Sequence, residues 1–355
     1  MFAHNIILKS WNKLLFPALI EQIQGFNAKR VLFQLPEGLI RAELLNLVNT
    51  LKKKRIKAFI SGDACWGGCD LPLEEAFRLK CELIVHYGHS PYPQPYSVLM
   101  DNSDEQHRKA IPVVWVEVQS TQPIQNILEE VFNQIKARFG NRTTVGLVTN
   151  IQHVHQLAEM QNFLEKRGIT VYVSHPAGKT SYPGQILGCD VTTAIRIQDD
   201  IDTYVYLGSG KFHGLSVGLT TNKPVLHADP FERSVDWLDQ EATRLLKRRY
   251  AVIEATRNAV KWGIIVGLRS AQFRLKLAQK MQEWLEADNR ETILLTLRDV
   301  TGERIMAFNF LDAFVVTSCP RIAIDDSELF IKPVLNSYEL GVLLGKHKWP
   351  KYEFF

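Results

Sequence analysis

Ser61-Gly-Asp-Ala-Cys-Trp-Gly-Gly-Cys-Asp70 follows the apolar run Ala58-Phe-Ile60, which reads as the end of a strand. The stretch holds two of the chain's five cysteines and three glycines. Glycines let a backbone turn tightly and bring sulfur close to a bulky group. Working outward, Val31–Leu35 and Ile56–Ile60 are short apolar strands flanking a helical pattern over Leu39–Lys54, and Pro36-Glu-Gly38 is a loop. Leu73–Leu79 reads as a helix with Pro72 at its start, and Leu83–Tyr87 and Ile111–Val118 as two further strands. Residues 1–30 read as a helical lead-in, with Leu15, Ala18, Leu19 and Ile23 at helical spacing and Pro17 in a first turn. Strands alternating with helices predict βαβ units and a parallel sheet.

The pattern recurs twice. Thr144–Thr149, Gly168–Val173, Asp202–Leu207 and Pro224–Ala228 are strands, with a helix over Val154–Arg167 and a loop carrying Gly188-Cys-Asp190. Arg233–Ala259 reads as a long helical connector. Trp262–Gly267, Thr292–Leu297, Phe314–Thr317 and Leu329–Leu335 are the last strands, with a helix over Phe273–Glu286 and Ser318-Cys-Pro320 directly after the third. The predicted fold is α/β, with three similar domains, each a small parallel sheet with flanking helices. Their bounds are 1–120 (Cys69 loop), 121–232 (Cys189 loop) and 233–355 (connector helix and Cys319 loop). Cys69 and Cys189 are 120 residues apart, Cys189 and Cys319 are 130 apart. In open parallel sheets, ligands lie outside the carboxyl ends of strands, so three such edges can share one centre.

Composition is that of a soluble globular protein, with 46% hydrophobic and 23% charged residues and a net charge of +4. The mild basicity permits an acidic or phosphorylated partner without demanding nucleic acid, and no basic stripe with interleaved aromatics is present. No signal peptide or long apolar run stands out, so the expectation is a cytoplasmic protein without membrane contact. An odd cysteine count in a reducing compartment points away from disulfides and toward metal ligands or core thiols.

The residues alone leave alternatives open. Cys189 and Cys319 are metal ligands or small buried hydrophobes. Cys65 and Cys69 form C-x3-C, but position 72 is Pro, so C-x3-C-x2-C is not completed. Cys65 reads as a supporting or packing thiol, and Cys81 as a core or surface thiol. His86 and His89 end one strand and His213 holds the matching place in the second unit, as candidate catalytic groups or as hydrogen-bonded structural histidines. Gln34 and Glu37 end the first strand and could contact a cofactor's polar groups. Arg269, Gln272 and Arg274 open the first helix of the third unit, an anion site or a solvated helix start. Arg321 and Asp325 are a structural ion pair or part of a site. Gly208-Ser-Gly210 is a weak nucleotide signal, and no P-loop or full G-x-G-x-x-G occurs.

Taken in order, Val31-Leu-Phe-Gln-Leu-Pro-Glu-Gly-Leu39, Gly62-Asp-Ala-Cys-Trp-Gly-Gly-Cys-Asp70, His86-Tyr-Gly-His-Ser90, Gly188-Cys-Asp190, Gly208-Ser-Gly-Lys-Phe-His213 and Ser318-Cys-Pro-Arg-Ile-Ala-Ile-Asp325 resemble the first enzyme of diphthamide biosynthesis, most closely its archaeal type. The resemblance runs from about residue 31 to 345. It implies a central 4Fe-4S cluster held by Cys69, Cys189 and Cys319, with one iron open to S-adenosylmethionine. It implies transfer of the 3-amino-3-carboxypropyl group to a histidine of translation elongation factor 2 by a radical route, in a homodimer served by an electron donor. Two departures stand out: Gly68 where the family shows alanine, and Ala271 where a glycine commonly sits beside the glutamine. Rival readings are a quinolinate-synthase-like dehydratase, in which the open iron acts as a Lewis acid, and a non-catalytic partner subunit bearing a cluster.

Overall fold

Strands buried on both faces read as continuous apolar runs, and that is the composition of the central strands here. The computed structural model describes residues 4–8, 16–93, 111–140, 142–350 and 352–354. In the first unit, β1 (His4–Leu8), β2 (Arg30–Gln34), β3 (Lys57–Ile60), β4 (Leu83–Tyr87) and β5 (Val113–Val118) form a parallel sheet in the order β1-β5-β4-β2-β3. Helices α1 (Phe16–Gly25), α2 (Glu43–Lys53) and α3 (Leu73–Arg78) connect them.

The second unit has α4 (Gln125–Phe139), β6 (Thr144–Thr149), α5 (Leu157–Glu165), β7 (Thr170–Tyr172), α6 (Thr192–Ile195), β8 (Thr203–Leu207), α7 (Phe212–Thr221), β9 (Val225–Asp229) and β10 (Ser234–Trp237), with sheet order β10-β9-β8-β6-β7. Helix α8 (Asp239–Ala255) leads to the third unit. There β11 (Lys261–Gly267), α9 (Leu275–Ala287), β12 (Glu291–Leu297), α10 (Gly302–Met306), β13 (Ala313–Val316), α11 (Pro320–Asp325), β14 (Val334–Asn336) and α12 (Ser337–Leu343) give the order β12-β11-β13-β14.

One motif repeats: β3-β2-β4-β5, β7-β6-β8-β9 and β12-β11-β13-β14 have the same strand order and are parallel throughout. In each motif, the first strand (β2, β6 or β11) is flanked by the second and third, so a crevice opens at their carboxyl ends. Cys69 and Cys189 follow the second strands, β3 and β7, whereas Cys319 follows the third, β13.

Three expectations change. Residues 1–30 are not wholly helical, because His4–Leu8 is an edge strand parallel to β5; α1 follows with Pro17 in its first turn, and Leu15 lies outside the described residues. Residues 233–259 begin with β10, antiparallel on β9, before the connector helix starts at Asp239. Of Leu329–Leu335, Val334 and Leu335 belong to β14, while Leu329 and Ile331 are exposed on the surface before it.

Candidate metal centre and its surroundings

The Cys69 loop is held from another unit. Asp70 pairs with Arg269, which also reaches Asp299. The Cys69 carbonyl accepts from Ala271 N at 3.0 Å and from Ser270 Oγ at 3.2 Å, and Ser270 Oγ in turn accepts from Leu71 N at 2.9 Å. Gln272 Nε2 donates to Cys69 Sγ at 3.3 Å. The turn over residues 269–272 of the third unit thus clasps the cysteine loop of the first.

The other two loops are tied in the same manner. Arg321, two residues after Cys319, donates to Ser216 Oγ at 3.1 Å, and Ser216 Oγ donates to the carbonyl of Gly188 at 2.9 Å, beside Cys189. The Arg321 guanidinium also lies 4.0 Å over the Phe212 ring and pairs with both Asp325 oxygens at 2.9 and 2.6 Å. Between the first and second units, Gln185 Nε2 donates to Ser90 Oγ at 2.8 Å and Tyr182 Oη to Glu117 Oε2 at 2.6 Å.

These ties bring the three thiols within electrostatic reach of one another. Burial pushes the Cys69 thiol up to about 11, against the Gln272 hydrogen bond, and the Cys189 sulfur raises it further. Cys319 is pushed up to about 12, first by burial and then by Cys189 and Cys69. Cys189 is raised by burial, against the pull of Lys179. Arg274, the N-cap of α9, lies within electrostatic reach of all three sulfurs and of Tyr92. Lys179 stands 5.7 Å from the centre of the Tyr92 ring. Three half-buried soft donors that repel one another as thiolates, with two cations at their flank, suit an iron–sulfur cluster. The metal's charge removes the penalty that keeps these thiols protonated.

The glycines of the loops serve protein packing. A Cβ on Gly68 would meet Tyr92 Cβ at 3.0 Å and the Ser90 carbonyl at 3.2 Å; one on Gly188 would overlap the Phe212 ring at 1.8 Å. Gly67, at φ +155°, takes a backbone conformation that L side chains rarely adopt. A cavity of about 340 Å³ opens beside Cys69 and Cys319, lined among others by Trp66, Phe212, Arg298, Leu329 and Phe330. That is within the usual size of ligand sites.

The histidines form a directed chain. Gln34 Nε2 donates to the Asp70 carbonyl at 2.7 Å, so its Oε1 faces His86 Nδ1 at 2.8 Å and accepts from it. His86 Nε2 then carries the lone pair that accepts from His89 Nδ1 at 2.9 Å. His89 is also within hydrogen-bonding reach of the Tyr87 carbonyl, and a Cβ on Gly67 would lie 4.0 Å from His89 Nε2 and 3.6 Å from Cys69 Sγ. Burial keeps the chain neutral: His86 is held well below the ordinary imidazole range, and His89 is lowered to about 4. His213 is lowered to about 4 by burial, then by Arg321 and by His89, which places the two imidazoles in one neighbourhood.

Cys65, His86 and His89 have ligand atoms within 4.8 Å of one another. His86 already uses both ring nitrogens, so the group is a hydrogen-bonded network. Burial pushes Cys65 up to about 12, and Cys81 packs in the core with Leu32, Ile84 and Trp115.

Other expected site residues are placed differently from one another. Gln34 is buried within the chain just described, whereas Glu37 lies exposed in a 3-10 turn. Arg269 and Gln272 sit in the turn before α9, engaged with carboxylates and with Cys69 sulfur respectively. Sequence reasoning did not single out Lys179, Tyr92, Ser216 or Phe212. None of them lies in a cysteine motif, and only the meeting of loops from different units makes them neighbours.

Residues 35–354 match the family model for diphthamide synthesis proteins. The chain belongs to that family. It is 34% identical to the 2-(3-amino-3-carboxypropyl)histidine synthase of Pyrococcus horikoshii, over 95% of this chain and 91% of that protein. It is 29% identical to subunit 1 of the human synthase, over 94% of this chain and 72% of the relative. A crystal structure of Dph2 from Pyrococcus horikoshii with a 4Fe-4S cluster superposes with a TM-score of 0.83 at 31% identity, covering 96% of this chain and 92% of the other. Family membership separates the chain from the dehydratase reading. Among the described residues, no helix is long and apolar enough to cross a membrane.

Proposed function

We infer that the chain is a 2-(3-amino-3-carboxypropyl)histidine synthase working with a 4Fe-4S cluster and S-adenosylmethionine at the first step of diphthamide synthesis. The observation that carries the reading is the convergence of Cys69, Cys189 and Cys319, one from each unit, beside Arg274 and an open cavity. Cys69, Cys189 and Cys319 hold the cluster. When bound, that group supplies an open iron and one electron for reductive cleavage of the sulfonium's C–S bond on the aminocarboxypropyl side.

The chain's own residues do the rest. Arg274 and Lys179, flanking the sulfurs, offset thiolate charge and hold the carboxylate of the methionine moiety. Apolar residues of the cavity exclude water from the carbon radical. The target is a histidine of elongation factor 2. Addition at its imidazole carbon requires the loss of one proton and return of one electron. His89, at the end of the Gln34–His86 chain, takes that proton, with His213 within electrostatic reach of it. Gln34 is therefore assigned to orienting His86. We further assign the three domains the bounds 1–120, 121–232 and 233–355, a homodimeric assembly and a cytoplasmic setting.

The test is anaerobic incubation of reduced, cluster-loaded protein with S-adenosylmethionine and elongation factor 2. Mass gain on the factor's histidine with methylthioadenosine as coproduct is expected. 5′-Deoxyadenosine, or no cleavage, overturns the reading.

A further inference from the structure

We propose that Gln272 sets the reduction potential of the cluster through its hydrogen bond to the Cys69 sulfur. The inference rests on Cys69 being a ligand, as assigned above. Gln272 Nε2 lies 3.3 Å from Cys69 Sγ, and the residue is 7% exposed. Its position is fixed by a rigid frame. Gln272 N donates to the Arg269 carbonyl at 3.0 Å, Ala271 N to the Cys69 carbonyl at 3.0 Å, and Arg269 is locked between Asp70 and Asp299. The donor and the sulfur therefore belong to different units but to one clasp, which fixes the backbone that carries the amide.

A hydrogen bond from an amide N–H draws electron density from a ligand thiolate. It stabilises the reduced cluster, which carries one more negative charge, more than the oxidised one, and so raises the potential. The amide nitrogen faces sulfur because a thiolate only accepts. Gln272 is a positioning residue in this sense: it acts on the iron through Cys69.

The experiment is anaerobic EPR-monitored potentiometry of the loaded protein, with dithionite as the one-electron reductant and iron and sulfide content measured in parallel. Gln272→Leu removes the donor and leaves a slightly shorter, apolar side chain. It is expected to lower the reduction equilibrium constant ~10-fold, which is about 59 mV for one electron. Gln272→Lys restores a donor and adds positive charge, and its potential is expected at or above the native value. A native potential in fully loaded Gln272→Leu overturns the proposal. Where the Leu variant loads incompletely, the Lys variant decides: a potential below native overturns the proposal. Cys69→Ala separates the two readings, because retention of an intact cluster with the native spectrum overturns the ligand assignment and the tuning with it.

Discussion

Gly188→Ala probes the join between the Cys189 loop and the third unit. The backbone there accepts an L residue, so the substitution removes only space. A Cβ would stand 1.8 Å from Phe212 Cε1 and 2.3 Å from Cζ, and the ring must retreat about 1.6 Å to reach ordinary contact at 3.4 Å. Phe212 is 38% exposed and can swing outward, but it then leaves the Arg321 guanidinium that lies 4.0 Å above it. Overpacking costs about 1–3 kcal/mol, and the lost cation–π contact is worth roughly 0.5–1 kcal/mol. Against this, Gly→Ala stiffens the unfolded chain by about 0.4–1 kcal/mol. The expected net loss is on the order of 2 kcal/mol, read as a lowered urea midpoint of the metal-free protein under reducing conditions. Iron loading should fall as well, because Arg321 connects the Cys319 and Cys189 loops through Ser216. In a Phe212→Ala background the same Gly188→Ala change should be neutral or slightly stabilising. An equal loss in both backgrounds would refute the reasoning, since the ring would then not be what excludes the methyl group.

Cys69→Ala, Cys189→Ala and Cys319→Ala are each expected to abolish the brown absorbance after anaerobic reconstitution, while Cys65→Ala and Cys81→Ala keep it; a full complement of iron in any of the first three refutes the ligand set. Arg249 and Glu339 form a buried pair, 1% and 0% exposed, backed by Tyr352 and Asn336. Arg249→Met strands the carboxylate and should cost about 3–5 kcal/mol in urea unfolding, and a loss below ~1 kcal/mol would sink that account. Burial holds His86 below its ordinary value of 6.5 in the folded state, so the unfolded chain takes up a proton there that the native state refuses. That contribution is complete above about pH 6.5 and is lost as pH falls below it. The gap in urea midpoint between native protein and His86→Gln should therefore narrow on acidification from pH ~7.5 to ~5, and a gap independent of pH rules the cause out.

Strand periodicity and punctuation made most of the fold legible. Runs such as Leu83–Tyr87 and Trp262–Gly267 are apolar because both faces are covered, and no tertiary information is needed to see it. The exceptions are elements whose pattern is weak or short. Gly214 and Gly218 dilute the apolar stripe of α7, yet Gly214 is required because a Cβ would stand 2.7 Å from Leu238. Strand β10 is four residues that find a partner only because β9 is already in place.

The sequence by itself determined three α/β units and one distinctive cysteine loop in each, because burial and backbone geometry act over a few residues. Tertiary structure decided what stands beside those cysteines. Arg269 and Gln272 read as anion binders at a helix start, but they lie in a turn that clasps Cys69. Gly188 stands next to Cys189 in the sequence, but the space beside its Cα is filled by Phe212 of the following helix. Gln34, His86 and His89 read as three separate candidates, and pairing of β2 with β4 makes them one hydrogen-bonded chain. The physical reason is that side-chain chemistry depends on neighbours a few ångströms away, and these neighbours come from separate elements, 52 residues apart for Gln34 and His86 and 203 for Cys69 and Gln272, that only packing brings together.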